Sequence, residues 1–337
     1  MRWIIALFSL LLATACAQPP QVPDWIDGES QDYSVTRYLL GRGQADLAAL
    51  ARDRARADLA KNFTVKVREQ SIDQLLWQQG GVGLQGLQAQ ASRDIQIQTE
   101  QLVEGVQIVE SWRGEEGGDY HVLAVLDRLQ AGTRLRSRIH QLDNETEENI
   151  SRARTEETLP ERIAAGRNAL SAQIDRYYQQ KMLTIVDASG VGVRPRYQLA
   201  ELKNDFEQLL DRWRIAPQVA GDELGDLQGL LAGALANSGV LHRAKPEEAD
   251  YLLVGDLSSQ ELQGADGWHW LRGTLQVSLL EPKSGSVLGR HQWTYKTSSR
   301  QVEMVEIRAR KQLADILDRE LLQVLIGFGH DERLKTE

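Results

Sequence analysis

The sequence predicts an α+β protein of two small sheet-plus-helix domains, joined by a helical hairpin and preceded by a signal peptide and a tether. Three observations carry that reading. Strand-like alternation of period two appears in two separate groups, at 63–127 and at 251–297, each bordered by helical stretches. Between the groups, from Arg128 to about Met182, apolar residues recur at helical spacing. The chain's 337 residues suffice for about two domains at roughly 150 residues each. A content of 42% hydrophobic and 26% charged residues suits neither a disordered chain nor a membrane bundle.

The elements follow in order. Arg2 supplies a positive start, Trp3 to Leu12 is apolar apart from Ser9, and Ala13-Thr14-Ala15 is a small-x-small cleavage site. The apolar run is too short for a hydrocarbon core that needs about 20 residues, so residues 1–15 read as a secretory signal peptide. Cleavage would leave Cys16 first. Followed by this cysteine, the site resembles a bacterial lipobox, with Ala13 where Leu is usual. Cys16 is the one cysteine of the chain and cannot pair within it, so lipid acceptor is the role that explains it best; an incidental free thiol is the alternative. The resemblance to bacterial lipoproteins implies several acyl chains, and two or more hold firmly to a membrane. Ala17 in place of Asp, by the Gram-negative sorting pattern, favours the outer membrane over the inner one. The protein would face the periplasm, with the cell surface left open.

Residues 16–32 hold three prolines and no period, and read as an extended tether from which Trp25 and Ile26 could dock. The first domain, 33–128, opens with a strand through Tyr38-Leu39-Leu40 that ends in a turn at Gly41-Arg42-Gly43. A helix from about Gln44 to Lys61 carries Ala48, Ala51, Ala55 and Leu59, a stripe small enough to sit close on a sheet. Phe63, Val65 and Val67 alternate with polar residues and predict a strand. A Gly/Gln-rich stretch at 80–90 predicts a loop, and strands are expected at Ile95–Thr99, Val103–Trp112 and Tyr120–Asp127, the last two joined by a GEEGGD turn.

The hairpin and linker occupy 129–197. Leu135, Ile139 and Leu142 form one seam, and Ile163, Leu170, Ile174 and Tyr177 a second. Thr158-Leu159-Pro160-Glu161 has the form of a capping box with proline in the first turn, so the second helix starts there. The second domain, 198–330, reads helix 199–213, strand 215–219, helix 224–237 and strand 251–257. A hairpin of 268–280 with 287–297 follows, and a closing helix at 302–325.

The stretch YLLGRGQADLAALARDRARADLAKNFTVKV at 38–67 resembles the opening of the bacterial outer-membrane lipoprotein family founded on a twenty-kilodalton antigen, of which the flagellar P lipoprotein is a relative. YHVLAVLDRLQA at 120–131 fits the ending of that domain, and the resemblance covers about residues 24–145. ADYLLVGDLSS at 249–259, with LEPKSGSVLG at 279–288, is similar to small modules of envelope lipoproteins such as the activator of penicillin-binding proteins. Neither resemblance implies an enzymatic activity or catalytic residues.

The residues form no catalytic pattern. No phosphate loop is present, and Gly41-Arg42-Gly43 lacks the third glycine of a dinucleotide fingerprint. The six histidines are scattered, so no metal ligand set and no cofactor is expected. A net charge of −9 argues against nucleic acid as a partner. The acidic runs Glu115-Glu116 and Glu145-Thr146-Glu147-Glu148 read as solvated charge. The expected function is therefore a non-catalytic structural or adaptor subunit anchored at the outer membrane through Cys16, in flagellar outer-membrane assembly. The alternative is regulation of peptidoglycan synthesis, with an envelope hydrolase as a third class. Expected partners are the membrane, a periplasmic protein and a second copy of the chain. In 268–280, Leu271, Leu275, Val277 and Leu279 share the core face, leaving Trp268, Trp270 and Arg272 on the other. Tryptophan and arginine are favoured interface anchors, so these three are the candidate partner-binding residues.

Overall fold

The computed structural model describes residues 22–70, 105–114, 118–243, 245–264 and 267–328. The fold is mixed α+β, with two sheets, each backed by helix. Two compact units divide the chain: Met1–Lys66 with Thr99–Ala131, and Val67–Gln98 with Gly132–Glu337.

The first unit has a three-stranded antiparallel sheet of order β1-β3-β2, from β1 (Tyr38–Ala45), β2 (Gln107–Arg113) and β3 (Tyr120–Asp127). The glycines read as a turn after residue 40 lie inside β1, with Gly41 opposite Ala124 and Gly43 opposite Val122. They are needed there because α1 (Ala48–Gln70) rests on them, main chain against main chain. That helix also overturns the strand expected at Phe63–Val67. Phe63 continues the four-residue stripe of Ala51, Ala55 and Leu59, and all four are buried, so helical spacing prevails over local alternation.

On the other face of the sheet, Trp25 is 3% exposed and packs with Leu123 and Val125. Its indole N–H donates to Glu110, and Arg42 donates from Nε to the Trp25 carbonyl at 2.7 Å. The tether's end thus docks as expected, and β3 is buried on both faces. The loop at 80–90, the strand at Ile95–Thr99 and the first residues of the strand at Val103–Trp112 lie outside the described residues.

A hairpin of α2 (Arg128–Thr155) and α3 (Leu159–Val186) follows. The Thr158 hydroxyl accepts from the Glu161 N–H, and the Glu161 carboxylate accepts in return from the Thr158 N–H, the capping box the sequence predicted. The helices run antiparallel, pairing Arg136 with Asp187, Asp143 with Arg176 and Thr146 with Gln173. Both seams are buried apart from Tyr177, which is half-buried.

The second unit continues with α4 (Leu199–Asp211), β4 (Ile215–Asp222), α5 (Leu227–Asn237), β5 (Tyr251–Gln263), β6 (His269–Leu280), β7 (Val287–Ser299) and α6 (Val302–Phe328). Its sheet has the order β4-β5-β6-β7. β4 and β5 are parallel, as the crossover through α5 requires, and the other pairs are antiparallel. Helices α5 and α6 cover one face. Leu227 and Leu231 lie over Gly255, Phe328 over Gly289, and the Trp293 indole donates to Glu320 at 2.8 Å. Leu253, Leu257, Leu271, Leu275, Val277 and Leu279 all point into this core.

Candidate functional site: the open face of the second sheet

Alternation along β5, β6 and β7 sends every second side chain away from α5 and α6. On β5 these are Asp256, Ser258 and Gln260, on β6 Trp270, Arg272, Thr274 and Gln276, and on β7 Arg290, Gln292, Thr294 and Lys296. The strands are 12 or 13 residues long, which gives that face its extent. Three of the charged residues among these positions are basic and one, Asp256, is acidic.

The predicted partner-binding residues sit together at one end. Trp268, just before β6, is 37% exposed, Trp270 is half-buried and Arg272 is exposed. The two indole rings are 6.5 Å apart and inclined by 38°. Each meets a cation: Lys296 Nζ lies 4.5 Å from the Trp270 ring centre, and the Arg300 guanidinium 5.5 Å from that of Trp268. Such contacts contribute about 0.5–1 kcal/mol at exposed sites and hold the rings in place. Arg272 donates from Nη2 and Nε to the Gln260 side-chain oxygen at 2.7 and 3.1 Å, so its head is fixed across the strands.

Sequence reasoning missed the other basic residues of this end. Arg272 and Lys296 are direct cross-strand partners, both exposed. Like charges in that relation repel. The pairing of β6 with β7 brings them together, and only the hairpin register, set by the Glu281–Gly285 turn, could have revealed it. In that turn Gly285 takes a positive φ of 72° and donates to the Glu281 carbonyl at 2.9 Å. A depression of about 660 Å³ at this end is lined from both sheet faces, by Gln260, Arg272 and Lys296 of the open face and by Tyr295 and Gln312 of α6 on the covered side. Burial pushes the Tyr295 phenol above its ordinary range, against a hydrogen bond with Ser259 that lowers it and with the Glu223 carboxylate adding to the rise. Its hydroxyl reaches the Ser258 carbonyl at 3.4 Å. The arrangement offers cations, aromatic faces and hydroxyls, the chemistry of recognition.

Among the described residues no cluster of three His, Cys, Asp or Glu could hold a metal ion, and no helix is long and apolar enough to cross a membrane. Glu147 and Glu148 are exposed, as read, but Thr146 between the carboxylates is fully buried. Cys16 and the expected signal peptide lie outside the described residues.

No curated protein matches this chain. Among solved structures it is similar to the secreted protein HP1454 of Helicobacter pylori, 15% identical over 83% of this chain and 96% of that one, with a TM-score of 0.41. It is similar also to a minor lipoprotein of Acinetobacter baumannii, 20% identical over 35% of this chain and 94% of that one, TM-score 0.24. A PelC dodecamer from Paraburkholderia phytofirmans is 20% identical over 33% and 88%, TM-score 0.26. The family model described as LPP20 lipoprotein matches residues 23–127, the span that holds the docked Trp25, the glycine strand, its alanine helix and the β2–β3 pair. Over residues 23–127, less than half of its length, the chain is similar to the LPP20 lipoprotein family.

Proposed function

We propose that the chain is a non-catalytic adaptor, held at the outer membrane by lipid on Cys16, that presents the open face of its second sheet to an acidic periplasmic protein. The observation that carries the reading is the like-charged cross-strand pair Arg272 and Lys296 beside Trp268 and Trp270. Two exposed cations placed opposite each other repel, although Lys296 also stacks on Trp270 and Arg272 bonds Gln260. An acidic partner surface would neutralise both, while the tryptophans supply contact area.

Two measurements test it. Labelled palmitate should enter the chain, and Cys16→Ser should release it into the soluble periplasm; equal membrane retention of the serine variant would sink the anchor. Trp268→Ala with Trp270→Ala, and separately Arg272→Glu, should weaken a cross-linked periplasmic complex with the melting temperature nearly unchanged. A large fall in melting temperature would place the rings in the core and end the docking idea.

A further inference from the structure

The second unit carries a separate cleft among α2, α3 and α4. It encloses about 310 Å³, at the lower end of the roughly 300–1,000 Å³ typical of small-molecule cavities. Its floor is apolar: Ile150 from α2, Gly166 and Ala169 from α3, and Leu202, Phe206 and Leu209 from α4. Gly166 lets α4 come close to α3 at this floor, since a Cβ there would stand 3.0 Å from Leu209 Cδ1 and 3.6 Å from Phe206 Cδ2. The polar part of the lining is strongly one-sided. Arg154, Arg162 and Arg212 face it, against the single carboxylate of Asp205. Arg162 is held by its Nε on the Glu156 carbonyl at 2.7 Å, while Arg154 and Arg212 are exposed.

Water is a poor occupant for such a floor, because a retained water needs two to four polar partners. The local charge is also contrary to the chain's own balance of −9, so three guanidiniums at one opening are not a sample of the general surface. Guanidinium suits carboxylate and phosphate, which it can grip through two parallel hydrogen bonds. A protein partner would need about 800 Å² of its own surface, far more than this cleft provides. We propose that the cleft binds a single-chain anionic amphiphile, with the acyl chain on the floor and a carboxylate or phosphate head against Arg154, Arg162 and Arg212. This site is independent of the open sheet face.

The test is calorimetric titration of the full mature chain with dodecanoate and with dodecyl phosphate, each below its micelle concentration. Dodecanol and dodecyltrimethylammonium serve as neutral and cationic controls. Saturable one-site binding is expected for at least one anion, and the preferred anion identifies the head group. Arg154→Ala with Arg212→Ala should weaken it by about tenfold or more, from the loss of two charge-assisted contacts. Gly166→Leu should abolish it by filling the floor. The arginines are exposed, so their removal leaves the fold intact and keeps the test decisive if the leucine variant misfolds. No saturable binding of either anion, equal affinity for the cationic control, or binding that survives the arginine double variant would overturn the proposal.

Discussion

In the first unit a helix rests on a strand through main chain, whereas in the second the covering helices rest on it through side chains. A Cβ on Gly43 would stand 2.0 Å from the Ala51 carbonyl oxygen and 2.4 Å from the Ala55 nitrogen. One on Gly41 would stand 2.4 Å from the Ala55 carbonyl oxygen. In the second sheet, a Cβ on Gly255 would meet Leu231 Cδ1 at 2.7 Å and Leu227 Cδ2 at 3.1 Å, the ends of movable side chains. The two contacts differ in tightness and in what can give way. A leucine can change rotamer, but a helix backbone moves only as a whole. The largest predicted effect follows. Gly43→Ala should cost more than about 4 kcal/mol, the diagnostic end of single substitutions. Hydrogen exchange should show protection lost in β1, β2 and β3 and retained in β4 to β7. Loss of protection in both sheets would mean that the units do not unfold separately.

The hairpin shows a second unforgiving contact, made by charge. Arg176 and Asp143 are 2% and 1% exposed and joined at 3.0 Å, and Arg176 also donates to the Val193 carbonyl at 3.0 Å. Removing one partner strands a buried charge. Asp143→Ala should therefore cost about 3–5 kcal/mol, measured by urea unfolding. Replacing both, as Asp143→Leu with Arg176→Met, should restore most of that loss. If the double variant stays as unstable as the single one, the pair is more than a mutual neutralisation.

Gly255→Ala is the control for the comparison. Overpacking against two leucine termini should cost about 1–3 kcal/mol. Leu231→Ala introduced with it should recover part of that cost by making room. Equal losses for Gly43→Ala and Gly255→Ala would erase the contrast between backbone and side-chain contact.

The same contrast explains what can be read in advance. The second sheet is legible because β5 and β7 alternate in burial, through Leu253 and Leu257 and through Trp293 and Tyr295, and because its turn announces itself by Pro282 and Gly285. The start of α3 is legible because a capping box is a local device, complete within four residues. The first unit defeats local reading twice. Gly41 and Gly43 look like a turn unless the alanine stripe of α1 is laid on them. Phe63 looks like strand until it is counted as the next step of that stripe, four residues after Leu59. Asp143 cannot be told from the acidic residues around it, since burial of a charge depends on Arg176, 33 positions away. Of the candidate sites, the tryptophans follow from alternation alone. The Arg272–Lys296 pair needs the register, and the three-helix cleft needs the packing of α2, α3 and α4.

The smallest predicted effect concerns a second ion pair on the same hairpin, nearer the solvent. Arg136 Nη2 meets Asp187 Oδ2 at 2.5 Å, and the Ser189 N–H and hydroxyl both donate to Asp187 Oδ1, at 2.9 and 2.8 Å. The hydrogen bonds from Ser189, main chain first and then side chain, hold this carboxyl below its usual range, and the charge of Arg136 adds to the effect against some burial. A carboxylate whose folded value is depressed contributes stability that is present above its unfolded value, about 3.9, and is lost as pH falls through the folded value. Asp187→Asn should thus lower the melting temperature slightly at neutral pH, by no more than about 2 °C for a contact this exposed. The difference from the parent should shrink as the pH is taken below about 3.9 and vanish once the Asp187 carboxyl is protonated in the folded protein too. Asp143, with its partner in the interior, should show no such surface-like sensitivity to salt. If 0.5 M salt left the Asp187→Asn difference untouched, the charge of Arg136 would have no part in it, and the Ser189 hydrogen bonds alone would account for the helix end.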